Sequence, residues 1–204
     1  MRFTATSIRH HKPDHDRSLG RCTGQVEFPR TMVNWTLVQQ HANALMLDAI
    51  AAKELSYSPY SNFRVGAALL LDDGTHVQGA NVENASYGTS RINSGCAICA
   101  ERSAIVKMKT TLSLRTQKIH AVAVSSDGSE SCTPCGICRQ VLREFCMQET
   151  VFLMPNKQWQ PSATRASVSS LKDLSEDNVL VLDMSTLLPS SFGPSALGHA
   201  DTSS

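Results

Sequence analysis

Cys99-Ala100-Glu101-Arg102 and Pro134-Cys135-Gly136-Ile137-Cys138 are the two stretches around which this chain is organised. Cysteine binds zinc as thiolate, and zinc prefers four donors in a tetrahedron. Cys135 and Cys138 are spaced to face one ion from the start of a helix, and Cys99 opens a second predicted helix. Helix starts carry unpaired N–H groups and partial positive charge, which favour thiolate. Three thiolates would leave the metal unit with a net negative charge, which Arg102 is placed in sequence to offset. The fourth position is then open to water, whose pKa the metal lowers. Sulfur donates more charge than imidazole does, so a base beside the ion is useful. Glu101, two residues past a ligand, is the candidate. The pattern therefore predicts Cys99, Cys135 and Cys138 as ligands of one Zn²⁺ per subunit, with Glu101 as the catalytic proton carrier.

One competing reading uses a fourth thiol. Cys96-x-x-Cys99 and Cys135-x-x-Cys138 also form a paired C-x-x-C pattern, and a four-cysteine site is closed and unreactive. That reading leaves Glu101 without a task. Of the other cysteines, Cys132 reads as a loop thiol, Cys22 as a tail residue and Cys146 as a small core residue. None of the seven histidines falls within the motifs.

The chain has 204 residues, 41% of them hydrophobic, and a formal net charge of +1. That suits one globular domain with tails. It gives no electrostatic footprint for a polyanion, so no nucleic-acid partner is expected. No apolar run approaches the ~18 residues of a membrane span. The polar start lacks the apolar core of a secretory signal. A reducing, cytoplasmic setting follows as the expectation, with nuclear or organellar targeting open, and there cysteines serve metals more often than disulfides.

In order, residues 1–33 read as a flexible tail. Apolar residues recur at threes and fours over 35–56 and predict a helix capped by Asn34. Ser56–Asn62 is loop. Residues 63–71 and 75–82 read as a hairpin about Asp72-Asp73-Gly74, the first strand buried on both faces. Helices are predicted over 99–109 and 135–147, the latter with Val141, Leu142 and Phe145 inward. Strands are predicted over 118–125, 150–154 and 178–182, with a long surface loop over 156–178 and a helical turn near Leu171. Asp183 caps a brief helix ending at Leu188, and residues 196–204 form a second tail. Alternating helices and strands over 34–195 imply one α/β layered domain.

Five motifs in order resemble the small cytidine deaminases that act on free nucleosides. They are Tyr57-Ser58-Pro59-Tyr60-Ser61-Asn62-Phe63 with Val65-Gly66-Ala67-Ala68, then Asn81-Val82-Glu83-Asn84-Ala85-Ser86-Tyr87, the two cysteine stretches, and Leu187-Leu188-Pro189-Ser190-Ser191-Phe192-Gly193-Pro194. The resemblance implies a three-layer α/β/α fold on a mixed five-stranded sheet, and a homotetramer with shared active sites. It assigns Asn81 and Glu83 to the ribose 3′-hydroxyl, Phe63 to the nucleoside, and Ala100 to a backbone contact with the base or the reacting group. It gives Arg102 to the zinc thiolates, and Tyr87 and Phe192 to a neighbouring subunit's pocket. The implied reaction is hydrolytic deamination of cytidine and deoxycytidine to uridine and deoxyuridine with release of ammonia, as in pyrimidine salvage. Two departures stand out: a longer connection through Gly88–Ala97, beside the site, and an expanded stretch near 161–177.

Two alternatives differ in chemistry. A blasticidin-type antibiotic deaminase would share the three cysteines and the glutamate, but Asn81, Glu83 and Phe192 favour the ordinary nucleoside. A non-catalytic zinc scaffold would share the metal alone. A polynucleotide editor would need a basic, aromatic-rich groove that the composition lacks.

Overall fold

The computed structural model describes residues 33–85, 96–161, 171–174 and 178–198. The expected tail over 1–32, Cys22 within it, Tyr87, the connection over 86–95 and residues 199–204 lie outside them. The elements are α1 (Trp35–Lys53), β1 (Val65–Leu71), β2 (His76–Ala80), α2 (Ala100–Thr110), β3 (Ile119–Ser126), α3 (Gly136–Phe145), β4 (Cys146–Pro155), α4 (Leu171–Leu174), β5 (Val179–Asp183) and α5 (Met184–Leu187), followed by a 3₁₀ turn over Pro194–Leu197.

The five strands form one mixed sheet in the order β2-β1-β3-β4-β5. Only β3 and β4 pair in parallel; the other neighbours are antiparallel. Side chains alternate across the strands and build two cores. Ala67, Leu69, Val122, Val124, Phe152 and Met154 face α2, α3 and α5. Ala68, Leu70, Ala121, Ala123, Val151 and Leu153 face α1 and α4. The result is the expected three-layer α/β/α arrangement. No helix among the described residues is long and apolar enough to cross a membrane.

Topology brings the two cysteine stretches together. Because β1 is antiparallel to both β2 and β3, the chain runs in one direction along β2, β3 and β4. Parallel strands need crossover connections, which take one hand. The crossover β2-α2-β3 and the crossover β3-α3-β4 advance the same way along the sheet. They therefore land on the same face, and both helices start at the same end of the sheet. That places Cys99 and Cys135, the N-cap residues of α2 and α3, side by side.

Two glycines set the layer spacing. A Cβ at Gly66 would lie 2.1 Å from the Ala49 carbonyl oxygen of α1, and one at Gly79 would lie 2.4 Å from the Ala104 nitrogen of α2. Only a residue without a side chain lets backbone approach backbone this closely.

Several boundaries differ from the sequence expectation. Helix α1 ends at Lys53 rather than 56, because the chain turns so that Tyr57 can pair with Val82. Helix α3 ends at Phe145, and β4 begins at once at Cys146, four residues before the expected strand. Cys146 and Met147 are both buried, and a register shift after Ile119 accommodates the early pairing with β3. Val33, expected in the tail, is 4% exposed and packs under α1. Within the expected surface loop, Trp159 and Leu174 are buried in that same core. The 3₁₀ turn carries ordered backbone past the expected end at 195, through Leu197.

The loop ends beside the site are held by an ion network. Asp127 receives Arg64 Nε at 2.9 Å and faces the buried Lys53 Nζ at 3.4 Å. The hydrogen bond from Arg64 does most to hold the Asp127 carboxyl at about 2, below the usual carboxylate range. Its folded pKa is depressed, so its stabilisation is present above the unfolded pKa and disappears as pH falls through the folded one. Asp127→Asn should therefore cost about 1 kcal/mol at neutral pH, discounted for the half-exposed Arg64. Urea unfolding from pH 7 to pH 2 should show the difference from wild type closing at the acid end.

Candidate active site

The N-caps of α2 and α3 are normally places for Ser, Thr, Asp or Asn. Here they are Cys99 and Cys135, and neither side chain caps its own helix. Both sulfurs turn outward instead and meet Cys138 from the first turn of α3. Cys99 Sγ and Cys135 Sγ are 3.9 Å apart, and all three sulfurs lie within 4.8 Å of one another. Zinc at ~2.3 Å from each sulfur would set tetrahedral corners about 3.8 Å apart. The donor set and its spacing thus fit a zinc ion on three sides.

Charge at the site follows from these contacts. The hydrogen bond with Cys138 pushes the Cys99 thiol down to about 5 against its partial burial, and Arg102 adds to the effect. The same bond, with burial, pushes the Cys138 thiol up. Arg102 Nη2 donates to Cys99 Sγ at 3.6 Å and to the Ala97 carbonyl at 2.8 Å. Arg102 thus lies against the Cys99 sulfur.

Glu101 is 3% exposed. Burial pushes its carboxyl up to about 7, and the neighbouring Cys99 charge acts in the same direction. Its carboxyl also hydrogen-bonds Cys138. It lines the same cavity of about 290 Å³ as Cys99 and Cys135. Two of the three clustered sulfurs and the Glu101 carboxyl therefore share one space.

The wall of that cavity opposite the cysteines comes from the loop before β1 and the segment after β2. Phe63, Asn81 and Glu83 all line it. Glu83 is 5% exposed. Burial opposes its ionisation, but the Ser61 hydroxyl and the Tyr60 and Ser61 amides outweigh that and hold the carboxyl below its usual value. Asn81 is locked to the same loop, with Nδ2 donating to the Phe63 carbonyl at 3.0 Å.

Three expected residues are not among those described as lining the cavity. Ala100 is the first residue of α2, is fully buried and is not among the lining residues. Phe192 is 60% exposed and does not join the cavity of its own chain. Tyr87 lies outside the described residues. The cavity also includes Ser61, Val65, Ile98, Cys132 and Ile137, to which the sequence reading gave no role. Only Cys132 carried a local signal, its place three residues before Cys135.

Cys96 is exposed and stands outside the sulfur group. Its carbonyl instead accepts from Asn84 Nδ2 at 2.8 Å, and Val82 and Ile98 pair beside it through two backbone hydrogen bonds. A closed four-cysteine site does not form among the described residues. Cys96→Ser should leave zinc content, measured by atomic absorption, at the wild-type ratio. Loss of the metal would reinstate the closed site.

Comparison with known proteins agrees with this geometry. Residues 39–154 match the family model described as the cytidine and deoxycytidylate deaminase zinc-binding region. A protein named cytidine deaminase from Halalkalibacterium halodurans is 44% identical over 114 residues, covering 56% of this chain and 79% of that protein. The crystal structure of cytidine deaminase from Burkholderia pseudomallei superposes with a TM-score of 0.56 at 34% identity, over 73% of this chain and 97% of the other. That of cytidine deaminase from Mycobacterium tuberculosis gives 0.52 at 32% identity, over 74% and 97%. With the family model covering more than half of its length, this chain belongs to the cytidine and deoxycytidylate deaminase zinc-binding family.

Proposed function

We propose that this chain is a zinc-dependent hydrolase that deaminates cytidine and deoxycytidine to uridine and deoxyuridine, releasing ammonia, as in pyrimidine salvage. The observation that carries this is the placement of a buried carboxylate, Glu101, in the same cavity as Cys99 and Cys135. Zinc held by Cys99, Cys135 and Cys138 would supply Lewis acidity, lowering the pKa of water toward neutrality. Glu101 does the proton work. It takes a proton from the attacking water and delivers it to N3 of the pyrimidine as the water oxygen bonds to C4. It then moves the proton of the new C4 hydroxyl to the amine as the C4–N bond breaks, leaving a C4 carbonyl and ammonia. A carboxyl raised toward neutral pH by burial suits both halves of that exchange. Arg102 holds the charge on the thiolates, so the cavity floor stays anionic without losing its donors.

The far wall suits the rest of a nucleoside. Phe63 offers an apolar face, while Glu83 and Asn81 offer an acceptor and a donor to a sugar hydroxyl. Pairing of this kind discriminates strongly between ligands that carry the hydroxyl and those that lack it. It also separates this reading from the antibiotic alternative.

Assembly as a homotetramer with shared sites fits the surface. Tyr57, Phe63, Val82, Ile98 and Ile137 are all exposed at or near the cavity mouth, and Phe192 is presented away from its own cavity. Thiolate ligands fit a reducing, cytoplasmic location. Loss of absorbance on incubation with cytidine, with ammonia released in equal amount, tests the activity. Native mass of the active fraction tests the assembly. Turnover of blasticidin S but not cytidine would replace the substrate, and turnover of neither would leave a zinc scaffold.

A further inference from the structure

The loop from Ser56 to Phe63 is fastened by two side chains that face the cavity. Asn81 Oδ1 accepts from Ser56 Oγ at 2.5 Å and from the Val65 amide at 2.8 Å. Glu83 Oε2 accepts from the Tyr60 and Ser61 amides at 3.0 and 3.2 Å. Glu83 Oε1 takes a short hydrogen bond from Ser61 Oγ. Ser61 Oγ in turn accepts from the Phe63 amide at 3.0 Å. Asn62, between them, takes φ 53, a left-handed conformation that asparagine tolerates better than most residues. That bend turns the backbone on either side of it toward the same hydroxyl.

A serine hydroxyl has one proton to give and two lone pairs to offer. Ser61 spends its proton on Glu83 and one lone pair on Phe63. It is thus the single atom that joins the buried carboxylate to the aromatic residue of the same wall. A carboxylate has about four acceptor sites, of which these bonds fill three. The one left, on Oε1, is the same oxygen that Ser61 aims. The direction in which Glu83 can meet an incoming hydroxyl is therefore set by Ser61.

Resting on the nucleoside reading above, we propose that Ser61 is a positioning residue that sets substrate selectivity: through one hydroxyl it registers Glu83 Oε1, for the sugar, against Phe63, for the pyrimidine. Without that hydroxyl Glu83 keeps its two amide donors but loses the constraint on Oε1, and the Phe63 amide loses its acceptor. Sugar discrimination then falls more than the chemical step does, because Glu101 and the cysteines stand on other elements.

The test compares wild type, Ser61→Ala and Ser61→Thr on cytidine, 2′-deoxycytidine and 3′-deoxycytidine. Zinc content and melting temperature confirm that each variant is folded. Wild type should prefer the substrates that carry the hydroxyl read by Glu83. Ser61→Ala should raise KM for cytidine on the order of tenfold while kcat stays within about threefold, and should shrink the hydroxyl preference at least about fivefold. Ser61→Thr, which keeps the hydroxyl, should recover most of the preference. An equal loss on all three substrates with the preference intact, or no change at all, overturns the proposal. If wild type turns over none of them, the activity reading fails by itself. Calorimetric binding of the same nucleosides then decides on Ser61: a preference lost in Ala and kept in Thr upholds it, and absent or indifferent binding overturns it.

Discussion

Glu101→Gln should lower kcat for cytidine by roughly 10²–10⁴-fold, the range that a positioned general acid–base supplies. The amide keeps the size of the side chain and removes its ability to take and return a proton. Zinc content should stay at the wild-type ratio, since the three sulfurs are untouched. Thermal stability should hold or rise, because a carboxyl that is 3% exposed is costly to ionise in place. Steady-state kinetics beside metal analysis reads both outcomes. A variant as active as wild type would show that the proton travels by another route, and the role given to Glu101 would be withdrawn.

The second large effect is expected at a residue that does not line the cavity. Gly79→Ala places a methyl group 2.5 Å from the Ala100 carbonyl and 2.4 Å from the Ala104 nitrogen. Both neighbours are helix backbone, which cannot swing aside as a side chain would. Helix α2 must lift from β2, and overpacking of this kind costs about 1–3 kcal/mol, sometimes more. Cys99 is the N-cap residue of that helix, so its sulfur moves with it relative to Cys135 and Cys138. The expected signature is a lower melting temperature together with weaker zinc retention under a competing chelator. A fall in stability with unchanged zinc affinity would mean that the first turn of α2 is held independently of β2.

Much of this was legible in the residues, for reasons that differ by element. The sheet was readable because β1 and β3 are short apolar runs with turns at both ends, a pattern that burial on two faces demands. The three sulfurs were readable because a Cys with Glu two residues on, followed by a Pro-Cys-x-x-Cys pair, is a specific pattern. The length of β4 was not. Cys146 and Met147 continue the apolar face of α3 in sequence, and only pairing with Ile119 turns them into strand. Trp159 and Leu174 were hidden for a similar reason. Their neighbours are polar, and each is buried singly by a long-range contact that no local period announces. Ser61 lay within a quoted motif, yet its task depends on Glu83, twenty-two residues away. Phe192 was identified by resemblance alone; it is 60% exposed and is not among the residues lining the cavity of its own chain.

The two helices that begin at the sulfurs forgo the usual side-chain cap, a substitution worth about 0.5–2 kcal/mol apiece when such a cap is removed from a protein. The partial positive charge at those two helix starts favours thiolate, and a bound ion would hold the thiolates there. Stripping the ion from this chain should therefore loosen those first turns before it disturbs the sheet beneath them, and amide hydrogen exchange would register it there first. Metal supply and folding quality would then be a single variable for this protein inside a cell.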